Sequence, residues 1–186
     1  MNEGLRLART DDIPALEMLI EESVRTLQTN DYSIAQMDGA LGSVFGVDRQ
    51  LIHDGTYFIV AQDKALVACG GWSKRESLFG CDAARTRADR LLDPLRHAAR
   101  IRAFFVHPEH ARQGLAGVIL SECENAIRAA RFRTIELVAT LSGIAFYQAH
   151  GYQDAERYEV QLANGLSLPV MRMTKSLGPS NESTPA

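Results

Sequence analysis

Apolar residues along the chain recur at two intervals, every second position and every third or fourth, and the interval changes repeatedly. That alternation marks strands and helices in turn. Residues 5–8 alternate as a short strand. Thr10 or Asp11 can cap a helix with Ile13, Leu16, Leu19, Ile20, Val24 and Leu27 on one face. Pro14 falls in its first turn, where a missing N–H does no harm. A weaker helix is expected over 33–45, where Gly39 and Gly42 lower the propensity. TYFIVAQ and ALVACGGW, divided by Asp63 and Lys64, read as a β-hairpin. Residues 73–98 break the rhythm, mixing charge with a short helix ended near Pro94, and read as an insertion over one face.

After that insertion, IRAFFVHP is a strand. GLAGVILSECENAIRAAR is a helix with Leu115, Val118, Ile119, Cys123 and Ile127 in one stripe. TIELVAT is another strand, SGIAFYQAHG a short helix stopped by Gly151, and the chain then makes a hairpin turning at Asn164 and Gly165. Residues 1–177 are expected to form a single domain. The polar stretch 178–186 reads as a disordered tail.

Composition narrows the classes. The chain has 186 residues, 46% of them hydrophobic and 23% charged, enough for one buried core. With 20 Lys and Arg against 23 Asp and Glu, the net charge of -3 supplies no basic field for a nucleic-acid backbone. The N-terminal stretch has acidic residues and no apolar signal core, and no window is apolar enough to span a bilayer. A soluble, cytoplasmic protein is therefore expected. Cys69, Cys81 and Cys123 lack metal-ligand spacing and are odd in number, which argues for reduced thiols.

Two segments carry candidate chemistry. VHPEHARQGLAG takes the chain from strand through a glycine turn into a helix, whose first N–H groups have no partner inside it. Such a junction binds anions, and Arg112 can add a charged contact. Close helix–strand packing, or a turn needing φ > 0, selects the same glycines. In SGIAFYQAHGY, Phe146 reads most simply as a core residue, which turns the adjacent Tyr147 elsewhere, to no evident packing role. A half-buried surface tyrosine is the alternative.

Together and in this order, FFVHPEHARQGLAGVIL and LSGIAFYQAHGY resemble the strand, pyrophosphate loop and later helix of the GNAT superfamily of N-acetyltransferases. The resemblance implies an α+β fold with a central, mostly antiparallel mixed sheet, flanked by helices and splayed between strands 4 and 5. Acetyl-CoA is the implied co-substrate, lying in that gap. One position departs: the slot usually held by Gln or Arg is Ala111, with Arg112 just after it.

By the same resemblance, the backbone of Phe104, Phe105 and Val106 would pair with the pantetheine amides as an added strand. Arg112, Gln113, Gly114, Leu115, Ala116 and Gly117 would hold the pyrophosphate, and Ser142 joins the cofactor-binding set. The Val106 N–H would polarise the thioester carbonyl. Tyr147 would protonate the departing thiolate, since a phenol of pKa ~10 keeps its proton at neutral pH against a thiol of ~8.5; packing against the cofactor is its plainer role. The acceptor would be an amine of a small molecule or an exposed protein amine.

ARIRAFFVHP holds no carboxylate to serve as a general base. His107, Glu109, His53, Glu22 and Glu136 are candidates, each also readable as an ordinary surface or loop residue. Cys69 reads as a buried small residue rather than a nucleophile, and Trp72 as core or acceptor-pocket wall. Gly70 and Gly71 suggest a bulge or close approach. Arg85, Arg87, Arg90 and Arg96 could draw an anionic substrate or form a solvated face. A non-catalytic module sensing coenzyme A, a phosphate-binding domain for another nucleotide, and a homodimer all stay open.

Overall fold

Seven strands form one sheet in the computed structural model, which describes residues 4–78 and 89–178. They are β1 (Leu5–Leu7), β2 (Tyr57–Gln62), β3 (Ala65–Ser73), β4 (Ala99–Val106), β5 (Thr134–Thr140), β6 (Gln153–Gln161) and β7 (Ser167–Ser176). Their order is β1-β2-β3-β4-β5-β7-β6, and every neighbouring pair is antiparallel except β4 with β5. This is the expected α+β architecture. Of the expected insertion and tail, residues 79–88 and 179–186 lie outside the described residues, with Cys81, Arg85 and Arg87.

Helices cover both faces. On one side α1 (Ile13–Leu27), α2 (Ile34–Ala40) and α3 (Arg49–His53) bury Leu16, Ile20, Val24, Met37 and Leu51 against Tyr57, Ile59 and Phe105 of the sheet. On the other, α4 (Leu115–Ala129) and α5 (Ile144–Ala149) bury Ile119, Leu120, Cys123, Ile127 and Tyr147 against Ala68, Ile101, Ile135 and Met173. Each fully buried Leu or Ile contributes roughly 1.5–3 kcal/mol, so both helix layers are fastened by their apolar stripes.

Local chemistry explains most boundaries. Asp63 and Lys64 both take positive φ, the two-residue turn that matches strand twist, and β2 and β3 close as the expected hairpin. The expected hairpin at Asn164 and Gly165 also forms, closed by the Leu162 N–H donating to the Leu166 carbonyl at 2.8 Å. Three expectations need correction. The α1 start is not capped by Thr10 or Asp11: residues Thr10–Asp12 wind a 3-10 turn, and Asp12 accepts from Arg6 at 2.7 Å instead. The helix over 33–45 stops at Ala40, because Leu41 turns extended and Gly42 adopts φ 77. From residue 89 to Pro94 the described residues are not helical and a turn follows, the Asp93 carbonyl accepting from Arg96 and His97, while the rest of the stretch expected to hold the short helix, 79–88, lies outside the described residues.

The β4–β5 pairing positions the site. It covers only Ala99, Arg100 and Ile101 against Ile135, Glu136 and Leu137. Beyond those pairs the strands part, although β4 runs on to Val106 and β5 to Thr140. At the joined end Glu136 accepts from Arg100 and, at 2.9 Å, from Arg172 of β7.

Candidate active site

A cavity of about 710 Å³ passes through the opening between β4 and β5. Its walls reach from the α4 start and α5 on one face of the sheet to α1 on the other. Two backbone features shape it.

The first is a bulge in β4. Arg102 pairs with Gly71 and Phe105 with Cys69, so Gly70 alone faces both Ala103 and Phe104. Ala103 takes φ 56, a strained conformation for a residue with a Cβ, of the kind that clusters at functional sites. The extra residue reverses which side chains face where. Ala99 and Ile101 pack on the α4 side, Ala103 and Phe105 on the α1 side, and Phe104 and Val106 on the α4 side again. Gly70 permits this, since a Cβ there would stand 2.6 Å from the Phe104 ring. Past the bulge, the His107 N–H donates to the Val67 carbonyl at 2.9 Å. Amides alternate in direction along an antiparallel ladder, so the N–H of Val106, paired with Ala68, turns away from β3 and into the gap.

The second feature is the turn into α4. His107 caps the 3-10 turn Pro108–His110, accepting from the Glu109 N–H at 3.3 Å. Arg112 adopts φ 64 and Gly114, the N-cap of α4, φ 82. No protein atom lies within 4 Å of a Cβ added to Gly114, so backbone conformation rather than packing calls for glycine. Among the described residues no side chain caps the helix. The first-turn N–H groups of a 15-residue helix therefore face the cavity unpaired, with the positive end of its dipole behind them.

Of the expected binding residues, Phe104, Phe105, Val106, Arg112, Gly114, Leu115, Ala116, Gly117 and Ser142 line this cavity. Gln113 does not: its side chain donates to the Glu109 carbonyl at 3.2 Å, outside the lining. Tyr147 lines the cavity too, but the expected division of labour on α5 is reversed. Phe146 is only half-buried, whereas Tyr147 is 8% exposed and part of the core. Its ring meets Phe104, Phe146 and Tyr152 edge-on at 6.3, 5.0 and 5.6 Å. Its hydroxyl makes no hydrogen bond among the described residues, and burial pushes the phenol well above its ordinary pKa. It therefore stays protonated at neutral pH.

None of the five candidate bases lines the cavity. His107 Nε2 is 2.9 Å from Glu22, tying the end of β4 to α1. His53 is largely exposed on α3 beside Asp54. Glu136 is held by its two arginines, and Glu109 is exposed. Cys69 is buried under the Tyr57 hydroxyl, its thiol pushed up to about 12 by burial, and is inert. Trp72 is core, edge-on to Phe132 at 6.2 Å. Among the described residues no helix is long and apolar enough to cross a membrane.

Two cavity residues escape sequence inspection. His150, just before the helix-stopping Gly151, has Nδ1 2.8 Å from the Phe146 carbonyl, and its Nε2 faces Gly117 in the first turn of α4. Gln28 ends α1 and is buried in the opposite wall.

A sheet opened beside one parallel strand pair, with an amide-lined anion cradle at one end of the gap and a protonated phenol within it, defines an acyltransferase-type site. The chain belongs to the GNAT family: the acetyltransferase (GNAT) domain model matches residues 53–154. No curated protein matches it in sequence. Among solved structures it is similar to a GCN5-related N-acetyltransferase from Rhodopseudomonas palustris, with 19% identity over 95% of this chain and 97% of that one and a TM-score of 0.71. It is also similar to the PaiA N-acetyltransferase of Thermoplasma acidophilum in complex with coenzyme A, with 12% identity over 92% and 97% of the chains and a TM-score of 0.62. The ribosomal-protein-alanine N-acetyltransferase of Brucella melitensis gives 15%, 93%, 99% and 0.61 in the same order.

Proposed function

We propose that the chain moves an acetyl group from acetyl-CoA to a primary amine of a small molecule. The observation that carries this reading is the continuous cavity joining the α4 amides, the Val106 N–H and the Tyr147 hydroxyl. The pyrophosphate would rest on the amides of Gly114, Leu115, Ala116 and Gly117, with Arg112 and Ser142 beside it, and the pantetheine arm would extend along Phe104, Phe105 and Val106.

The steps balance simply. The amine nitrogen attacks the thioester carbonyl carbon, and the Val106 N–H donates to the oxyanion that forms, a contact typically worth about 3 kcal/mol. As the carbon–sulfur bond breaks, the thiolate takes the Tyr147 proton and the amine gives one to solvent. Amide and free coenzyme A leave, and solvent returns the tyrosine proton. No acyl-enzyme is needed. The buried, unpaired thiols of Cys69 and Cys123 suit a reducing compartment such as the cytoplasm.

Incubation with acetyl-CoA and a panel of amines, followed by free-thiol release, tests the activity. A second reading, a non-catalytic coenzyme A sensor, is favoured by one observation: no described carboxylate lines the cavity to take the amine's proton. Tight acetyl-CoA binding with no turnover on any amine would select it.

A further inference from the structure

Tyr32 lies in the loop between α1 and α2, 3% exposed, and no step described so far uses it. Its hydroxyl accepts from the Leu141 N–H at 2.9 Å and donates to the Pro169 carbonyl at 2.7 Å. The last β5–β7 pair is Thr140 with Val170, so Leu141 and Pro169 are the next residues along the two strands. One phenol is therefore inserted where the following rung of the ladder would form. Pro169 has no N–H to offer that rung, and the hydroxyl serves as acceptor and donor to the two groups that remain.

What the phenol holds is the start of a crossing. Leu141 opens the 3-10 turn Leu141–Gly143, which leads into α5. Its side chain packs in the α1-side core, whereas Ile144 packs in the α4-side core with Phe146 and Tyr147. Within one turn the chain passes from one face of the sheet to the other. That turn also touches the site: Ser142 and Gly143 line the cavity, and a Cβ added to Gly143 would stand 3.6 Å from the Tyr147 ring. Without the Tyr32 hydroxyl, the Leu141 N–H must reach Pro169 directly, drawing the turn toward β7, or stay unpaired in a buried setting, which is costly. Either result shifts the turn against which Tyr147 rests.

Resting on the acetyltransferase reading above, we propose that Tyr32 is a positioning residue: through the Leu141 N–H it fixes the 3-10 turn and so aims the Tyr147 hydroxyl at the departing sulfur. It lies outside the cavity lining and acts only through that turn.

Kinetics on the full chain, well below the thermal midpoint of every variant, tests this. Tyr32→Phe is expected to lower kcat with acetyl-CoA about tenfold, while the KM of the fastest panel amine stays within about twofold. The loss should shrink to about threefold or less with an acetyl thioester of a more acidic thiol. In a Tyr147→Phe background, Tyr32→Phe should cost no more than about a further twofold, because the group it aims is gone. Leu141→Pro deletes the same N–H at the first position of a helical turn, where proline is accepted, and should repeat the pattern. Gln36→Leu is the control: it breaks the 2.7 Å bond from Gln36 Nε2 to the Ser167 carbonyl, which fastens α2 to β7 without touching the turn, and kcat should stay within about twofold. Hydrogen exchange needs no turnover: amides of 141–149 should exchange faster in Tyr32→Phe, and those of α4 at the parent rate. Three results each overturn the proposal: an unchanged kcat, an equal loss with both thioesters and in the Tyr147→Phe background, or unchanged exchange over 141–149. A loss as large in Gln36→Leu does so too. Failure of the parent reading looks different: the unsubstituted chain releases no thiol with any amine, or Tyr147→Phe turns over as fast as the parent, and exchange alone then decides whether Tyr32 holds the turn.

Discussion

The Tyr57 hydroxyl lies 3.4 Å from the carbonyl oxygen of Ala103, the residue whose φ of 56 makes the β4 bulge. The same hydroxyl is 3.3 Å from Cys69 Sγ, and that sulfur is 3.7 Å from the same carbonyl. A fully buried phenol on β2 thus reaches beneath β3 to hold the one strained peptide that turns Val106 toward the gap. Tyr57→Phe removes a buried hydroxyl and leaves the carbonyl only a weak thiol donor. Stability should fall by about 1–2 kcal/mol in urea unfolding. Turnover should fall more than acetyl-CoA affinity, since the relaxed bulge no longer aims the Val106 amide. A variant as stable and as active as the parent would show that the bulge needs no such prop.

Gly114 and Gly117 separate conformation from contact. Gly114→Ala puts a side chain at φ 82 with no protein atom near it, so the fold should lose only about 1 kcal/mol. Its methyl instead points where the diphosphate is proposed to sit, and acetyl-CoA affinity should drop at least about tenfold by calorimetry. Gly117→Ala brings a Cβ to 3.2 Å from His150 Nε2 and should displace that ring while weakening the cofactor less. Equal affinity of Gly114→Ala and parent would place the diphosphate elsewhere.

Burial also gives the fold an alkaline limit. It pushes the Tyr32 phenol up to about 12 and holds those of Tyr57, Tyr147 and Tyr152 well above the ordinary value. Below pH ~10 both folded and unfolded chains keep these protons, so stability does not change on their account. Above it the unfolded chain releases protons that the folded chain retains, and stability falls with rising pH. The slope is about 1.4 kcal/mol per pH unit for each such tyrosine. Ultraviolet absorbance of phenolate should therefore rise together with loss of helical circular dichroism. Tyrosines that titrate near pH 10 in a folded chain would contradict the burial.

Parts of this arrangement are plain in the sequence, and the reasons differ by residue. The β2–β3 hairpin shows because Asp63 and Lys64 interrupt two alternating runs. The α4 turn shows because a glycine at positive φ is hard to replace. The bulge shows only through Gly70 and Gly71, which suggest a bulge or a close approach; its place in β4 is hidden, since after Arg102 the run AFFV is apolar on both faces and one extra residue changes the phase without changing the composition. The order of Phe146 and Tyr147 is hidden for a related reason: neighbours on a helix are about 100° apart, and which one enters the core depends on where Phe104 and Tyr152 approach. α3 is only five residues, its N-cap Asp48 accepting from the Leu51 N–H, and so leaves no pattern longer than one turn. Gln28 looks like any polar helix end until the cavity wall closes around it.

Tyr147→Phe isolates the proton donor from its packing. The ring contacts with Phe104, Phe146 and Tyr152 survive the substitution, and the hydroxyl has no described hydrogen bond to lose, so stability should stay within about 0.5 kcal/mol of the parent. Acetyl-CoA affinity should likewise hold. Turnover should fall roughly 100-fold, because the thiolate must then leave without a positioned acid. A thioester with a more acidic leaving thiol needs less help and should recover most of that loss. An undiminished kcat with acetyl-CoA would strip Tyr147 of the role and leave it as packing beside the cofactor. Recovery with the better leaving group, at unchanged stability, is the pattern that only a proton donor to sulfur produces.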